Sequence, residues 1–366
     1  MINLIVAFAL SFICTMMLVR HAHLHEHFSA DWDLGGVQKN HAHPVPRVGG
    51  IGIFLGIVSA IGTCLVRGQP GLAWDMTLLV ICASVAFLAG LIEDLTKKVS
   101  PRERLLATMV AGLLASWLLH AWIPRVDIAW VDAYLAIPIV AIVLTSVAVA
   151  GLANAVNIID GFNGLASMVA MLMLLSIAYV AFQVGDVLVL TIAFAVVGAI
   201  LGFFIWNYPA GTIFLGDGGA YLIGFIMAEL SVLVIMRNPT VSAWYPVLMF
   251  IYPIFETLFS IYRRRVLRGR PAGYPDGVHL HTLVYKRLMR WAIGSRDAKH
   301  LLRRNSMTAP YLWLLSLLAV IPATIFWNNR LILNVFTSIF VVIYVWLYWS
   351  IVRFKSPRWM IIKKGR

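Results

Sequence analysis

Amide and carboxylate side chains recur in one short stretch where a predicted helix gives way to a turn. In NAVNIIDGFNGLA, Asn154, Asn157 and Asp160 are spaced three residues apart, so their oxygen-bearing groups share one face of a helix. The Asp-Gly and Asn-Gly pairs that follow, the second at Asn163, favour a tight turn. Oxygen ligands that converge in this way suit a hard cation or a sugar nucleotide. A helix cap explains one of these residues but not all of them.

A second acidic residue, Asp217, lies between glycines in FLGDGGA at the start of a predicted helix. One interpretation is structural, because Asp is a preferred N-cap residue. In the functional interpretation, Asp217 binds a metal ion beside backbone N–H groups that face a phosphate. Upstream, Asn207 stands between Trp206 and Tyr208, a combination suited to stacking on a base and hydrogen-bonding to it. This segment is therefore a second candidate site.

Charged residues crowd the connector GLIEDLTKKVSPRER. Glu93 and Asp94 end a predicted helix, where carboxylates oppose the helix dipole and lower stability unless positive charge balances them. Lys97, Lys98 and Arg104 balance them as a solvated cluster, and a metal ion or a phosphate site would do so as well. The residues alone leave both interpretations open.

Arg47, His279 and His281 give weaker signals. Arg47, in PRVGG, lies at a predicted membrane surface, where it either binds a lipid phosphate or snorkels to the headgroups. The two histidines lie in PDGVHLHTL, within the longest connector. A pair of histidines is more often structural than catalytic, so these residues alone do not define a site.

The elements that must position these residues are membrane-spanning helices. Of the 366 residues, 61% are hydrophobic and 12% are charged, whereas a soluble domain is about half apolar and a quarter charged. This composition excludes a soluble enzyme, a disordered chain and a disulfide-rich secreted module. It predicts an all-α polytopic membrane protein with about eleven spans. The predicted spans lie near residues 2–19, 48–66, 76–92, 105–123, 134–153, 164–182, 187–206, 218–236, 245–262, 309–327 and 333–352.

The basic residues predict the orientation, because cytoplasmic loops carry an excess of Lys and Arg. All but four of the 29 lie on one side of the predicted spans, the exceptions being Arg67, Arg125, Arg237 and Arg330. The N-terminus is therefore expected outside and the C-terminus in the cytoplasm, together with all the connectors described above. We expect one integral membrane domain over residues 1–352, including the cytoplasmic loop 263–308, and a basic cytoplasmic tail over 353–366.

From about Pro44 to His281, these connectors in order resemble those of the polyprenyl-phosphate N-acetylhexosamine-1-phosphate transferases, in glycosyltransferase family 4. NAVNIIDGFNGLA followed by FLGDGG is the specific combination, and the predicted topology looks like the branch that initiates O-antigen and common-antigen synthesis. The chain departs from the family pattern at several positions. The family's Asp-Asp pair is Glu93-Asp94, and Glu256 stands where relatives often have Asp. The HHHxE motif of the peptidoglycan enzyme is absent, which argues against that specificity.

The resemblance implies a phosphotransferase reaction. Undecaprenyl phosphate, or another polyprenyl phosphate, attacks a UDP-N-acetyl sugar, UMP leaves, and a polyprenyl diphosphate sugar is formed. Mg²⁺, with Mn²⁺ as a substitute, is the implied cofactor, because it suits oxygen ligands and a diphosphate. The implied catalytic residues are Asp94, Glu93, Asp160 and Asp217; the metal ligands are Asp217 and Asn157; and the substrate-binding residues are Arg47, Lys97, Arg104, Asn154, Asn163, Asn207, His279 and His281.

The resemblance assigns Asp94 as a base, although a lipid phosphate with a second pKa of about 6 is already ionised at neutral pH. The expected partners are the lipid phosphate, the UDP-sugar and membrane lipids, without nucleic acid and with a homodimer left open. The expected location is the inner membrane of a bacterium. Two alternatives are the peptidoglycan phospho-N-acetylmuramoyl-pentapeptide transferase and a multi-pass transporter of a phosphorylated solute. A transporter should carry charges at mid-membrane and internal repeats, and Glu229 is the clearest acid within a predicted span.

Overall fold

The computed structural model describes residues 1–29, 44–267, 269, 277–289 and 298–353. These residues form helices without a β-strand, which confirms the all-α prediction. The predicted basic tail lies outside the described residues except for Arg353, as does part of the long loop. In chain order the α-helices are α1 (Ile2–Arg20), α2 (Ala22–Ser29), α3 (Gly49–Val66), α4 (Pro70–Thr96), α5 (Pro101–Leu118), α6 (Ala129–Leu135), α7 (Pro138–Ile159), α8 (Leu165–Val184), α9 (Val187–Asn207), α10 (Gly216–Arg237), α11 (Trp244–Met249), α12 (Ile251–Tyr262), α13 (Leu280–Leu283), α14 (Ala298–Ile325) and α15 (Arg330–Val352).

In the described part of the chain, nine helices are long and apolar enough to cross a membrane, namely α1, α3, α4, α7, α8, α9, α10, α14 and α15. The chain is therefore a multi-pass membrane protein. The other two predicted spans also exist as helices but differ from the prediction. Helix α5 begins at Pro101 and carries charged residues in its first turn, whereas the span predicted at 245–262 is divided into α11 and α12 at Phe250.

Helix α10 occupies the centre of the bundle, where it packs against α3, α4, α7 and α8. Its residues are buried from Gly216 to Ile235. Two glycines allow its first turn to approach its neighbours closely. A Cβ at Gly90 of α4 would lie 2.6 Å from the carbonyl carbon of Asp217, and one at Gly50 of α3 would lie 2.5 Å from the backbone nitrogen of Gly219. Small residues at these contacts therefore set the position of the Asp217 turn.

Helix α1 lies between α3 and α9. Gly56 of α3 faces the Ala7 carbonyl, Gly202 of α9 faces the Phe8 carbonyl, and a Cβ at either glycine would overlap that oxygen. The Ser11 hydroxyl of α1 donates to the Ala199 carbonyl at 2.7 Å. Close backbone approach through small residues is the usual basis of helix association in lipid.

The polar connectors meet at one end of the bundle, which we call the site end. The N–H groups of Gly49 and Gly50, at the start of α3, donate to the carbonyls of Phe214 and Leu215 at 3.0 Å each, just before α10. The end of α4 reaches the same turn through Asp94. At the other end of α10, Arg237 pairs with Asp186 at 2.9 Å. The alternation of helix directions thus brings the predicted site connectors together.

Candidate active site

A cavity of about 270 Å³ opens at the site end, where α7 and α9 end and α10 begins. It contains most of the site residues predicted from the sequence. Its lining residues are Arg47, Asn157, Ile158, Asp160, Gly161, Phe162, Asn163, Asn207, Phe214, Leu215, Gly216, Asp217, His279, His281, Thr282 and Asn305.

Asp217 is the most heavily contacted carboxylate of the cavity. Its Oδ1 accepts a hydrogen bond from the Asn157 amide at 2.9 Å and lies 3.3 Å from Nη2 of Arg47. Its Oδ2 pairs with Arg104, whose guanidinium lies over the Tyr221 ring, 5.8 Å from its centroid. Two cationic side chains therefore balance the Asp217 charge and hold its carboxylate in place.

Asp94 lies beneath the cavity and does not line it. Its carboxylate, in a residue that is 1% exposed, accepts the backbone N–H groups of Asp217 and Gly218 at 2.9 Å each. Its Oδ1 also lies 3.7 Å from Nε of Arg47. Asp94 therefore caps the N-terminus of α10 and holds Asp217 in place.

Besides Asp94, four predicted site residues do not line the cavity. Arg104 contacts the lining through its ion pair with Asp217. Glu93 accepts the Val99 N–H at 2.7 Å and closes the turn after α4. Lys97 ends α4 in the left-handed conformation, with φ 57°. Asn154 accepts the hydroxyl of Tyr221 at 3.1 Å. The structure thus gives these residues contacts within and between helices.

The turn after α7 forms another wall of the cavity. Asn207 holds it, because its Oδ1 accepts the Gly164 N–H at 2.6 Å while its Nδ2 donates to the Ile213 carbonyl at 2.8 Å. The N–H of Asn163 donates to Oδ1 of Asn305 at 2.8 Å. No sequence motif marks Asn305 as a site residue. It follows two arginines in α14, far along the chain from the polar connectors. Asn163 and Asn207 therefore help to shape the wall as well as line it.

Asp160 is the second carboxylate that lines the cavity. Burial raises the pKa of Asp160 from 3.8 to about 7, although the positive charge of Arg47 opposes that rise. Near neutral pH, this carboxyl therefore exchanges its proton readily, and a nearby cation would favour its ionised form.

His279 and His281 lie side by side in the cavity wall, with ring centroids 5.1 Å apart and planes 8° from parallel. His279 Nδ1 lies 3.0 Å from Oε1 of Glu256. The rings of Phe162 and His281 pack edge to face. Sequence reasoning did not place Glu256 in the site. Its signals in the sequence are an acid within an apolar span and the match to a family position that often holds Asp.

The donor groups of the cavity fit a divalent cation that arrives with a diphosphate. Among the described residues, no group of three or more His, Cys, Asp or Glu side chains is placed to hold a metal. Asp160 and Asp217 nevertheless line the cavity with the amides of Asn157 and Asn163, and the buried Oδ1 of Asn163 has no hydrogen-bond partner among described residues. Mg²⁺ is commonly held by one or two carboxylates together with substrate phosphates.

Comparison with known proteins agrees with this arrangement. The model of glycosyl transferase family 4 matches residues 76–235. A probable undecaprenyl-phosphate N-acetylglucosaminyl 1-phosphate transferase of Bacillus subtilis is 27% identical over 304 residues, covering 81% of this chain and 80% of the relative. An undecaprenyl-phosphate alpha-N-acetylglucosaminyl 1-phosphate transferase of Thermotoga maritima is 27% identical over 254 residues, covering 69% and 72%.

A phospho-N-acetylmuramoyl-pentapeptide-transferase of Streptococcus thermophilus is 32% identical, but over only 84 residues, which cover 23% of this chain and 25% of the relative. The segment matched by the family model contains the Asp94, Asp160 and Asp217 connectors. These are the connectors that meet at the cavity. The chain is thus similar to glycosyl transferase family 4 over residues 76–235, and to the two undecaprenyl-phosphate transferases over most of its length.

Proposed function

We propose that this protein transfers N-acetylglucosamine 1-phosphate from UDP-N-acetylglucosamine to undecaprenyl phosphate and releases UMP. The observation that carries the proposal is the cavity at the site end, where two carboxylates, Arg47 and two histidines face one another. The names of the relatives, which are undecaprenyl-phosphate N-acetylglucosaminyl 1-phosphate transferases, supply the sugar and the lipid.

The reaction needs positioning and charge neutralisation more than covalent help. An oxygen of the lipid phosphate forms a bond to the β-phosphorus of the nucleotide sugar, and the bond from that phosphorus to the UMP oxygen breaks. Arg47, which lines the cavity beside Asp217, is placed to bind a phosphate. Asp94 acts through the backbone, because its carboxylate is occupied by the N–H groups of α10.

We further propose Mg²⁺ as the cofactor, with Mn²⁺ as a substitute. Asp217 and Asn157 would hold it, since both line the cavity and their side chains are in contact at 2.9 Å. A bound divalent ion would neutralise the negative charge of the diphosphate. The amide of Asn157 would then present its oxygen in place of the N–H group that it now donates to Asp217.

The remaining parts of the proposal concern place and pathway. The site end would face the cytoplasm, because the sequence concentrates Lys and Arg there, and UDP-sugars would enter from that side. The membrane would be the inner membrane of a bacterium, and the product would initiate O-antigen or another cell-envelope polysaccharide.

The test is a direct assay of the purified protein in lipid nanodiscs. UDP-N-acetylglucosamine is supplied with and without undecaprenyl phosphate, and UMP and the lipid diphosphate sugar are measured by mass spectrometry. We expect UMP only when the lipid phosphate is present. Turnover of UDP-N-acetylmuramoyl-pentapeptide would instead support the peptidoglycan reaction, and a panel of UDP-N-acetyl sugars identifies the preferred donor. Absence of UMP with every donor would contradict the proposal and leave the transporter alternative.

A further inference from the structure

Glu256 is a buried carboxylate of α12 on which three donors converge. It is 1% exposed, and its Oε1 lies 3.0 Å from His279 Nδ1 and 3.0 Å from the Leu280 nitrogen. Its Oε2 accepts the hydroxyl of Tyr344, in α15, at 2.8 Å. A buried charge is tolerated when it is hydrogen-bonded in this way. These contacts also connect α12 and α15 to the chain at His279 and Leu280.

The contact determines which nitrogen of His279 carries a proton. A carboxylate accepts hydrogen bonds only, so Nδ1 must be protonated to donate to Glu256. Nε2 is then the ring nitrogen that can meet a ligand in the cavity, which His279 lines. When both ring nitrogens carry protons, Nε2 donates to an anionic oxygen, and the Glu256 carboxylate on Nδ1 is the counter-charge of that form.

We propose that Glu256 is a positioning residue for His279, holding the ring so that Nε2 meets the diphosphate of the nucleotide sugar. Tyr344 supports the same carboxylate from the opposite side. The inference rests on the proposed transferase function, because it assumes that the diphosphate occupies the cavity. It assigns a role in the reaction to Glu256 and Tyr344, which lie outside the cavity lining.

A double-mutant cycle tests this role. Glu256→Gln, His279→Asn and the double variant are compared by kcat and KM in the UMP assay. Glu256→Gln alone should lower kcat/KM by about 10- to 100-fold, the range seen when a carboxylate that orients a histidine ligand is removed. In the His279→Asn background the same change should cost no more than about twofold, because the group through which Glu256 acts is already absent.

Two neighbouring tyrosines provide a matched pair. Tyr344→Phe removes the hydroxyl that donates to Glu256 and should lower kcat/KM in the wild-type background but not in His279→Asn. Tyr252 is also fully buried, and its hydroxyl has no hydrogen-bond partner among the described residues. Tyr252→Phe should therefore leave kcat/KM unchanged.

A purely structural role predicts a different pattern. If Glu256→Gln lowered kcat/KM by the same factor in both backgrounds, together with equal losses of thermal stability, Glu256 would only brace the helices and the inference would be wrong. Failure of wild-type protein to release UMP would overturn the proposed function instead. In that case the same cycle is measured by calorimetric binding of UDP, where additive losses overturn the inference and coupled losses support it.

Discussion

At the scale of the residue, Asp217 separates the structural from the catalytic interpretation of the cavity. We predict that Asp217→Asn lowers kcat by about 10²- to 10³-fold, because it removes the negative charge that would hold the proposed Mg²⁺ against the diphosphate. Asn keeps one acceptor oxygen toward Asn157 and Arg47 but turns an N–H donor toward Arg104, while Asp94 still holds the backbone of the turn. Thermal stability should therefore fall much less than turnover does. The measurement is UMP release alongside a melting curve.

Asp186→Asn is the matched control for Asp217→Asn. Asp186 caps α9 and pairs with Arg237 at the end of the bundle opposite the cavity, about 30 Å from Asp217 along α10. The control should retain wild-type turnover. Wild-type turnover in Asp217→Asn at limiting Mg²⁺ would remove Asp217 from the proposed metal site.

A second residue-scale prediction concerns pH. The pKa of Asp160 is raised to about 7 in the folded protein by burial, so the folded state binds a proton more tightly than the unfolded state does. The stabilisation is complete below the unfolded pKa and is lost as pH rises to about 7. Asp160→Asn, which cannot ionise, should therefore gain thermal stability relative to wild type between pH 5 and pH 8. A difference in melting temperature that is constant across this range would show that Asp160 does not titrate there.

The sequence predicts several residues that line the cavity but not the ion pairs that those residues form. Of the three residues predicted from their spacing, Asn157 and Asp160 line the cavity, whereas Asn154 contacts Tyr221. Asp217, predicted from its flanking glycines, also lines it. The ion pair of Arg104 with Asp217 joins two connectors far apart in sequence, and nothing in either connector specifies the other. Long-range pairs of this kind arise from helix packing, which local patterns do not encode.

At the scale of the element, the end of α4 and the start of α10 form one unit through Asp94. Asp94→Asn should lower stability by about 1 kcal/mol, a typical value for a weakened cap, and reduce kcat less than Asp217→Asn does. Asp75→Asn, about 28 Å away on α4, is the control and should be neutral in both measurements. Loss of activity as severe as in Asp217→Asn, with an unchanged melting temperature, would identify Asp94 as a base.

Helix packing gives a matched pair within α3. Gly56 faces α1 and α9 so closely that a Cβ would lie 2.7 Å from the Ala7 carbonyl, whereas a Cβ at Gly62 meets nothing within 4 Å. Gly56→Ala should lower stability by about 1–3 kcal/mol through overpacking. Gly62→Ala should be neutral or stabilising, because Ala is the better helix former. Equal melting temperatures for the two variants in detergent would contradict the packing described here.

Both the start of α5 and the break between α11 and α12 have local signals in the sequence. Pro101 follows Ser100, and Glu103 completes a capping box with Ser100, which marks the start of α5. The helix is interrupted at Phe250, three residues before Pro253, which has no N–H to donate to the Met249 carbonyl one turn earlier. Hydropathy alone does not register this proline and predicts one continuous span.

At the scale of the whole molecule, the excess of Lys and Arg on one side predicts that the site end faces the cytoplasm. Single cysteines replace exposed Lys98, at the site end, and exposed Arg67, at the opposite end, with Cys14→Ser removing the partly exposed native thiol. In intact cells an impermeant maleimide should label the cysteine at 67 and not that at 98. In permeabilised cells both cysteines should be labelled, which shows that each one is accessible to the reagent. The reverse pattern would place the cavity outside and exclude cytosolic UDP-sugars.

Composition was sufficient to predict the class of fold, and hydropathy most of the spans, because lipid requires every span to satisfy its own backbone. The order of helices around α10 was not predictable in the same way. It depends on close contacts such as those at Gly50 and Gly90, and many apolar helices would satisfy the same hydropathy pattern.

The position of α1 has a consequence for how the chain is made. Synthesis proceeds from the N-terminus, so α1 enters the bilayer well before α9, one of its two principal neighbours, which does not begin until Val187. Before α9 is made, lipid or the insertion machinery must cover the surface of α1 that includes Ser11, whose hydroxyl later bonds to Ala199. The order of translation and the order of packing therefore differ. A ribosome that stalls before α9 leaves α1 with α3 as its one principal neighbour, and the α1 surface that α9 would cover stays without its packing partner.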